Sequence, residues 1–187
     1  PPGGELEMAL PAGYSLRRGS AENLDLLAAL ERAAASSFAA TPYAHLIDAP
    51  PSIEEYDPKH HRLWIAAAPS GAPVGFALAE TTEGSAHLLE LDVHPDHQAR
   101  GIGTALIGEV ARWAEGFGLD SLTLTTFASV PWNGPYYERR GFRPLREREL
   151  TPHLSAILRE EARMGLPRED RIAMILHLPR KPIPPLS

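Results

Sequence analysis

The stretch from Leu88 to Trp113 constrains the fold of this chain more than any other. An apolar, strand-like run, Leu88-Leu89-Glu90-Leu91-Asp92-Val93, stops at His94-Pro95-Asp96-His97. The chain then passes through Gln98-Ala99-Arg100-Gly101-Ile102-Gly103 and opens into an amphipathic run from Thr104 onward. The order predicts strand, tight loop, helix. Gly101 and Gly103 let the backbone approach a ligand closely, and the first N–H groups of the helix have no partner within it. Those donors and the positive end of the helix dipole make an anion site, most naturally for phosphate. On the two glycines alone, a plain strand-to-helix turn is the better reading. Neither nucleotide motif fits: no Gly-Lys-Ser/Thr follows, and a dinucleotide fingerprint requires a third glycine and a later acidic residue.

The flanking segments place this unit in an α/β domain. Tyr14 to Arg18 alternates and predicts a first strand. From Ser20, an N-cap candidate, Leu24, Leu27, Ala28, Leu30, Ala34 and Phe38 follow helical spacing. Four prolines (Pro42, Pro50, Pro51, Pro58) break the region from Thr41 to His61, with room for one helical turn at Ile53 to Tyr56. Arg62–Ala68 and Val74–Glu80 flank Pro69-Ser70-Gly71-Ala72-Pro73 and predict a hairpin. After the glycine loop, Leu106, Val110, Trp113, Ala114 and Phe117 mark the buried stripe of a helix, which Gly116 and Gly118 end. Asp120 to Phe127 alternates as a strand, which completes a βαβ unit with a parallel pair. A short helix behind Pro135 closes at Gly141, and Phe142 to Leu150 predicts a further strand. A helix from Thr151-Pro152, with Leu154, Ile157, Leu158 and Ala162 on one side, stops at Gly165. A last strand covers Arg171 to Leu178. The sum is a single domain over residues 14–178, a mixed central β-sheet with helices on both faces. Residues 1–13, with three prolines and three glycines, read as a flexible leader, and 179–187, with four prolines, as a disordered tail.

Composition narrows the function. A chain of 187 residues, 43% hydrophobic, supports one buried core. The absence of cysteine removes disulfides, thiolate nucleophiles and zinc–thiolate sites and suits a reducing cytoplasm. No apolar run reaches spanning length and no signal-peptide pattern opens the chain, so no membrane partner is expected. A net charge of −6 argues against nucleic acid and is compatible with a cationic amine, or simply with solubility. No metal is expected either: Pro95 splits the His94/His97 pair, and His60-His61 reads as solvated. There is no Gly-x-Ser-x-Gly elbow for a serine hydrolase, and Trp64, Trp113 and Trp132 read as packing residues.

Leu91-Asp92-Val93-His94-Pro95-Asp96-His97-Gln98-Ala99-Arg100-Gly101-Ile102-Gly103-Thr104 resembles the acetyl-CoA-binding motif of the GNAT superfamily of N-acetyltransferases. That motif is Gln/Arg-x-x-Gly-x-Gly/Ala after a strand ending in Val-x-Pro. Tyr136-Tyr137-Glu138-Arg139-Arg140-Gly141-Phe142 is similar to the family's downstream Tyr-Glu-x-x-Gly-Phe segment. The resemblance implies a GNAT-like fold and direct acetyl transfer from acetyl-CoA to an amine acceptor, small molecule or peptide, with no covalent enzyme intermediate. It implies that the pantetheine arm pairs with Leu91, Asp92 and Val93. The diphosphate would lie over Gln98, Ala99, Arg100, Gly101, Ile102, Gly103 and Thr104. It further implies that Tyr137 is the general acid and that the base is Glu90 or His87, two residues that strand alternation places on opposite faces. Asn133 and Tyr136 are added as cofactor contacts. One position departs from the family: the Asn often found seven residues before the tyrosine is Val130 here. The alternatives are an acyl-CoA sensor of the same fold without catalysis, and transfer of a different acyl group. Acceptor contacts are expected from Phe38 to Tyr56, and an exposed strand near the C-terminus is compatible with a homodimer.

Overall fold

A computed structural model describes residues 10–179; most of the expected leader and all but the first residue of the expected tail lie outside them. Seven strands, β1 (Ser15–Arg18), β2 (His61–Ala67), β3 (Pro73–Thr81), β4 (Ser85–Val93), β5 (Ser121–Phe127), β6 (Arg143–Pro144) and β7 (Arg171–His177), form one mixed sheet in the order β1-β2-β3-β4-β5-β7-β6. The chain divides into two compact units, residues 10–80 with 89–110, and 81–88 with 111–179, among those described.

In the first unit β1 (Ser15–Arg18) runs antiparallel to β2 (His61–Ala67), which pairs antiparallel with β3 (Pro73–Thr81). The β2–β3 register sets Leu63 opposite Leu78 and Ile65 opposite Phe76, so these four share one face. Helix α1 (Leu24–Ala35) lays Leu27, Ala28 and Leu30 on that face, with Ile53 from the proline-broken segment and with Leu24 and Tyr56 at the edge. Each fully buried Leu, Ile or Phe there contributes about 1.5–3 kcal/mol. The opposite face of β3 carries Gly75. A Cβ at that position would stand 2.9 Å from the Asp92 carbonyl oxygen and 3.3 Å from the side chains of Val93 and Ile102. The close approach of strand β4 (Ser85–Val93) and helix α2 (Ile102–Gly116) on that side is what demands the glycine. A helix therefore stands on each face, as the hydrophobic pattern predicts.

In the second unit the first residues of β4 pair parallel with β5 (Ser121–Phe127), Ser85 opposite Ser121 and His87 opposite Thr123. β5 pairs antiparallel along its whole length with β7 (Arg171–His177), whose other edge carries β6 (Arg143–Pro144). Helix α4 (Pro152–Arg163) starts where Thr151 Oγ1 accepts the Leu154 N–H at 3.2 Å, and buries Leu154 and Leu158 against Ala173. Arg171 reaches Glu161 at 2.7 Å, nearly buried, while its guanidinium lies 4.5 Å from the Phe127 ring centre.

Expectations fail locally at several points. The strand predicted from Phe142 to Leu150 is two residues long. Pro144 has no N–H to donate, and Arg146 to Glu149 curl into a 3₁₀ turn in which Glu149 accepts the Arg146 N–H at 3.0 Å. α2 opens at Ile102, two residues before Thr104. Phe117 lies beyond the end of α2 and is 62% exposed rather than part of its stripe, and Ala162 is exposed on α4. Trp64 is buried under the Arg18 guanidinium, 4.4 Å from its ring centre, whereas Trp132 is 44% exposed. Among the described residues no helix is long and apolar enough to cross a membrane.

Candidate active site

The loop that follows β4 takes the backbone shape its sequence suggests, with one addition. Gly101 sits at φ +81°, and Ala99, two residues earlier, at φ +57°. Left-handed residues alternating with ordinary ones form the turn in which successive N–H groups converge on an anion. A left-handed alanine carries roughly 1–2 kcal/mol of strain, so the surrounding structure has to impose it. The anchors are on either side. Gln98 Nε2 donates to the Val93 carbonyl (3.1 Å), Arg100 to the Asp96 carbonyl (3.2 Å), and the His97 ring Nδ1 meets the Tyr14 hydroxyl at 2.8 Å. The ladder of α2 opens with the Ala105 N–H on the Gly101 carbonyl at 2.9 Å. The N–H groups of Ile102, Gly103 and Thr104 therefore precede it, which suits a diphosphate. The histidines expected in the loop serve this scaffold, His94 Nδ1 accepting the Asp96 N–H; His61, read as solvated, is instead half-buried at the start of β2, where its Nδ1 accepts the Asp57 N–H at 3.0 Å.

On β4, alternation sets Glu90 and Asp92 on the same side, and α1 brings Glu31 to them; carboxylate oxygens of the three lie within 4.8 Å of one another. Glu31 uses both oxygens as acceptors, for the N–H of Ser52 (2.6 Å) and of Ile53 (3.0 Å). Ser52 Oγ in turn donates to Glu90 Oε2 at 2.9 Å. Asp92 Oδ2 is buried and accepts no hydrogen bond. Burial, and then the charges of Glu90 and Glu31, hold its carboxyl well above the ordinary carboxylate range. The sequence offered Asp92 as a backbone contact only. It gave no role to Glu31 or Ser52, whose sole signal was that Ser52 lies in the segment expected to meet the acceptor.

In the second unit, α3 (Gly134–Glu138) begins where the Asn133 carbonyl accepts the N–H groups of Tyr136 (2.8 Å) and Tyr137 (3.1 Å). The Asn133 side chain makes no capping bond, and Val130, at the departing position, is buried. The Tyr137 ring packs edge-on against Tyr136 (5.3 Å between centres) and Phe142 (5.5 Å). The Arg140 guanidinium lies 3.3 Å from the centre of the Tyr136 ring and donates to the Tyr136 carbonyl at 2.7 Å. Desolvation leads the effects that lower the Arg140 pKa.

His87 is 2% exposed, with His153 edge-on at 5.4 Å. Thr123 gives its one hydroxyl hydrogen to the Ala86 carbonyl (3.2 Å), so at 2.9 Å His87 Nδ1 is the donor to Thr123 Oγ1. Burial, reinforced by His153, pushes the His87 pKa down to about 3. The folded chain thus keeps this ring neutral where the unfolded chain, with an ordinary value near 6.5, takes up a proton. Stability from this group is fully present above pH 6.5 and is lost as pH falls from there toward 3. At pH 5 the loss relative to pH 8 is about 2 kcal/mol. Urea unfolding at the two pH values should show a decrement larger by that amount in the wild type than in His87→Asn; equal decrements would remove the assignment.

Residues 27–142 match the sequence profile of the Acetyltransferase (GNAT) family, more than half of the chain. The chain belongs to that family. Solved structures agree on the GNAT fold. A ribosomal-protein-alanine N-acetyltransferase from Escherichia coli is 20% identical, with a TM-score of 0.65 over 93% of this chain and 99% of that one. The PaiA N-acetyltransferase of Thermoplasma acidophilum, solved with coenzyme A, is 17% identical, with a TM-score of 0.65 over 91% and 99%. An N-acetylglutamate synthase from Neisseria gonorrhoeae, complexed with coenzyme A and N-acetyl-glutamate, is 22% identical, with a TM-score of 0.64 over 92% of this chain and 37% of that one. The matched segment of this GNAT chain contains the glycine loop, Glu31, Ser52, Glu90 and Asp92, as well as Tyr137.

Proposed function

We propose that this GNAT chain transfers an acetyl group from acetyl-CoA directly to an amine. The observation that carries the reading is the turn at Ala99 and Gly101 ahead of α2, which suits a diphosphate in a chain of this family. Gln98 to Thr104 would hold the diphosphate, Leu91, Asp92 and Val93 the pantetheine arm, and Asn133 and Tyr136 would add contacts. The co-substrate supplies the acetyl group as a thioester. The new C–N bond forms as the C–S bond breaks. Glu90 takes the proton from the amine nitrogen, and the Tyr137 hydroxyl gives one to the departing sulfur. Both groups then exchange with water. We assign the base to Glu90 rather than His87 because the His87 ring is buried, with its Nδ1 committed to Thr123 and His153 edge-on against it.

Acetyl-CoA mixed with a panel of small amines and N-terminal peptides should release free thiol in proportion to acetylated amine. Tight binding with no release from any amine would make the chain a sensor, and release from a longer acyl-CoA alone would change the donor. The loop has its own test. Gly101→Val forces a β-branched residue to φ +81°, and calorimetry should show acetyl-CoA affinity falling more than tenfold, above about 1.4 kcal/mol. Unchanged affinity in a folded variant would remove the loop from the cofactor site.

A further inference from the structure

We infer that Ser52, seated by Glu31, is a positioning residue that fixes the Glu90 carboxylate and couples the acceptor-side turn to it; the inference rests on Glu90 being the base. Residues 41–61 carry four prolines and would be a loose place to build a site. Two contacts prevent that. Ile53 is fully buried under α1, and Glu31, at the heart of that helix, clamps the start of the 3₁₀ turn Ser52–Glu55 with both carboxylate oxygens. Charge-assisted bonds of this kind are roughly twice as strong as neutral ones. With its backbone held, Ser52 has only its hydroxyl to spend, and it spends the hydrogen on Glu90 Oε2. A hydrogen bond to one oxygen restricts the rotation of the carboxylate and so favours one orientation of the Glu90 side chain. A chain of contacts therefore runs from α1 through the Ser52–Glu55 turn to Glu90.

Among the described residues, Glu31 from α1 and Asp92 from its own strand bring carboxylates close to Glu90, while Glu54 of the turn pairs with Arg32 at 3.3 Å. Glu31 is committed to the turn, and the buried Asp92 favours its acid form. Glu90 is the member of the trio that takes a side-chain hydroxyl donor from the turn. A hydroxyl that merely tied down a loop would have served as well on any exposed acceptor.

The test uses the whole chain with acetyl-CoA and the best amine from the panel. Ser52→Ala should lower kcat/KM for the amine about tenfold, with acetyl-CoA affinity within twofold of wild type. The acidic limb of the pH–rate profile should move to higher pH, because a carboxylate that loses a donor is protonated more readily. Ser52→Thr should restore both. Glu31→Gln should speed hydrogen exchange at the Ser52 and Ile53 amides and raise KM for the amine. If the alanine variant unfolds, Ser52→Cys, a weak donor of similar size, carries the same expectation. Wild-type kinetics and pH profile in Ser52→Ala, alongside an inactive Glu90→Gln, would overturn this inference and leave the acyl-transfer reading standing. A wild type that acetylates no amine would overturn that reading and the catalytic part of this one, and unchanged exchange in Glu31→Gln would overturn the clasp.

Discussion

Glu90→Gln is expected to lower kcat by about 10²- to 10⁴-fold, the usual contribution of a positioned general base. The amide keeps the size of the carboxylate and can still accept from Ser52 Oγ, so the 2.9 Å contact survives while the ability to hold a proton is lost. Acetyl-CoA affinity should stay close to wild type. The acidic limb of the pH–rate profile should vanish with the carboxylate. Removing one negative charge also eases the burden on Asp92, whose acid form is favoured partly by Glu90, so the variant should be no less stable than the wild type. A folded Glu90→Gln enzyme with wild-type turnover would end the assignment. His87→Asn should keep activity, since that ring is neutral, buried and bonded to Thr123. If His87→Asn instead removed the acidic limb and Glu90→Gln left it intact, the base would have to be moved to the histidine.

What the sequence showed of this fold followed from short-range chemistry. Val93, Pro95 and the two glycines mark a strand end, a turn and a helix start within a dozen residues, and the structure has all three. The 3.6-residue period of Leu27, Leu30 and Ala34 and the turn formers between β2 and β3 are equally local. The failures are where a local signal was weaker than its context. Residues Phe142 to Leu150 look extended, yet Pro144 removes a donor and neighbouring charges satisfy each other in a turn, Arg143 with Glu149 at 2.9 Å and Glu147 with Arg168 at 2.6 Å. Phe117 keeps the helical period of α2 but falls after the helix has ended. The acidic trio was not legible at all. Glu31 meets Ser52 across 21 positions and Ser52 meets Glu90 across 38, and only the docking of α1 and the proline-broken turn on the sheet brings them together. A lone Glu on an amphipathic helix reads as solvent-facing. Its neighbours in sequence say nothing about the backbone amides it will cap.

Tyr137→Phe should also lower kcat about 10²- to 10⁴-fold, for a different reason. A free tyrosine has a pKa of roughly 10, so the phenol is protonated at neutral pH and can give its proton to a thiolate as the C–S bond breaks. Tyr137 has a packing role as well, and that role needs only the ring. Its edge-on contacts to Tyr136 and Phe142, each contributing about 0.5–1.5 kcal/mol, survive the loss of the hydroxyl. Thermal unfolding of the variant separates the two roles: where stability is unchanged, a large loss of rate belongs to the hydroxyl's part in the reaction. Tyr136→Phe is the comparison for the neighbouring phenol: its ring stays under the Arg140 guanidinium and its carbonyl still accepts from Arg140, while the hydroxyl's own bond to Arg140 is lost, so acetyl-CoA affinity is measured beside its kcat. The identity of the leaving group separates acid catalysis from a hydroxyl that only orients the thioester. Acetyl thioesters of more acidic thiols need less help at sulfur, so the deficit of Tyr137→Phe should shrink as the thiol becomes more acidic. An orienting hydroxyl would give the same deficit with every thiol. A deficit that does not vary would leave Tyr137 as an orienting residue, and wild-type turnover in Tyr137→Phe would leave it with packing alone.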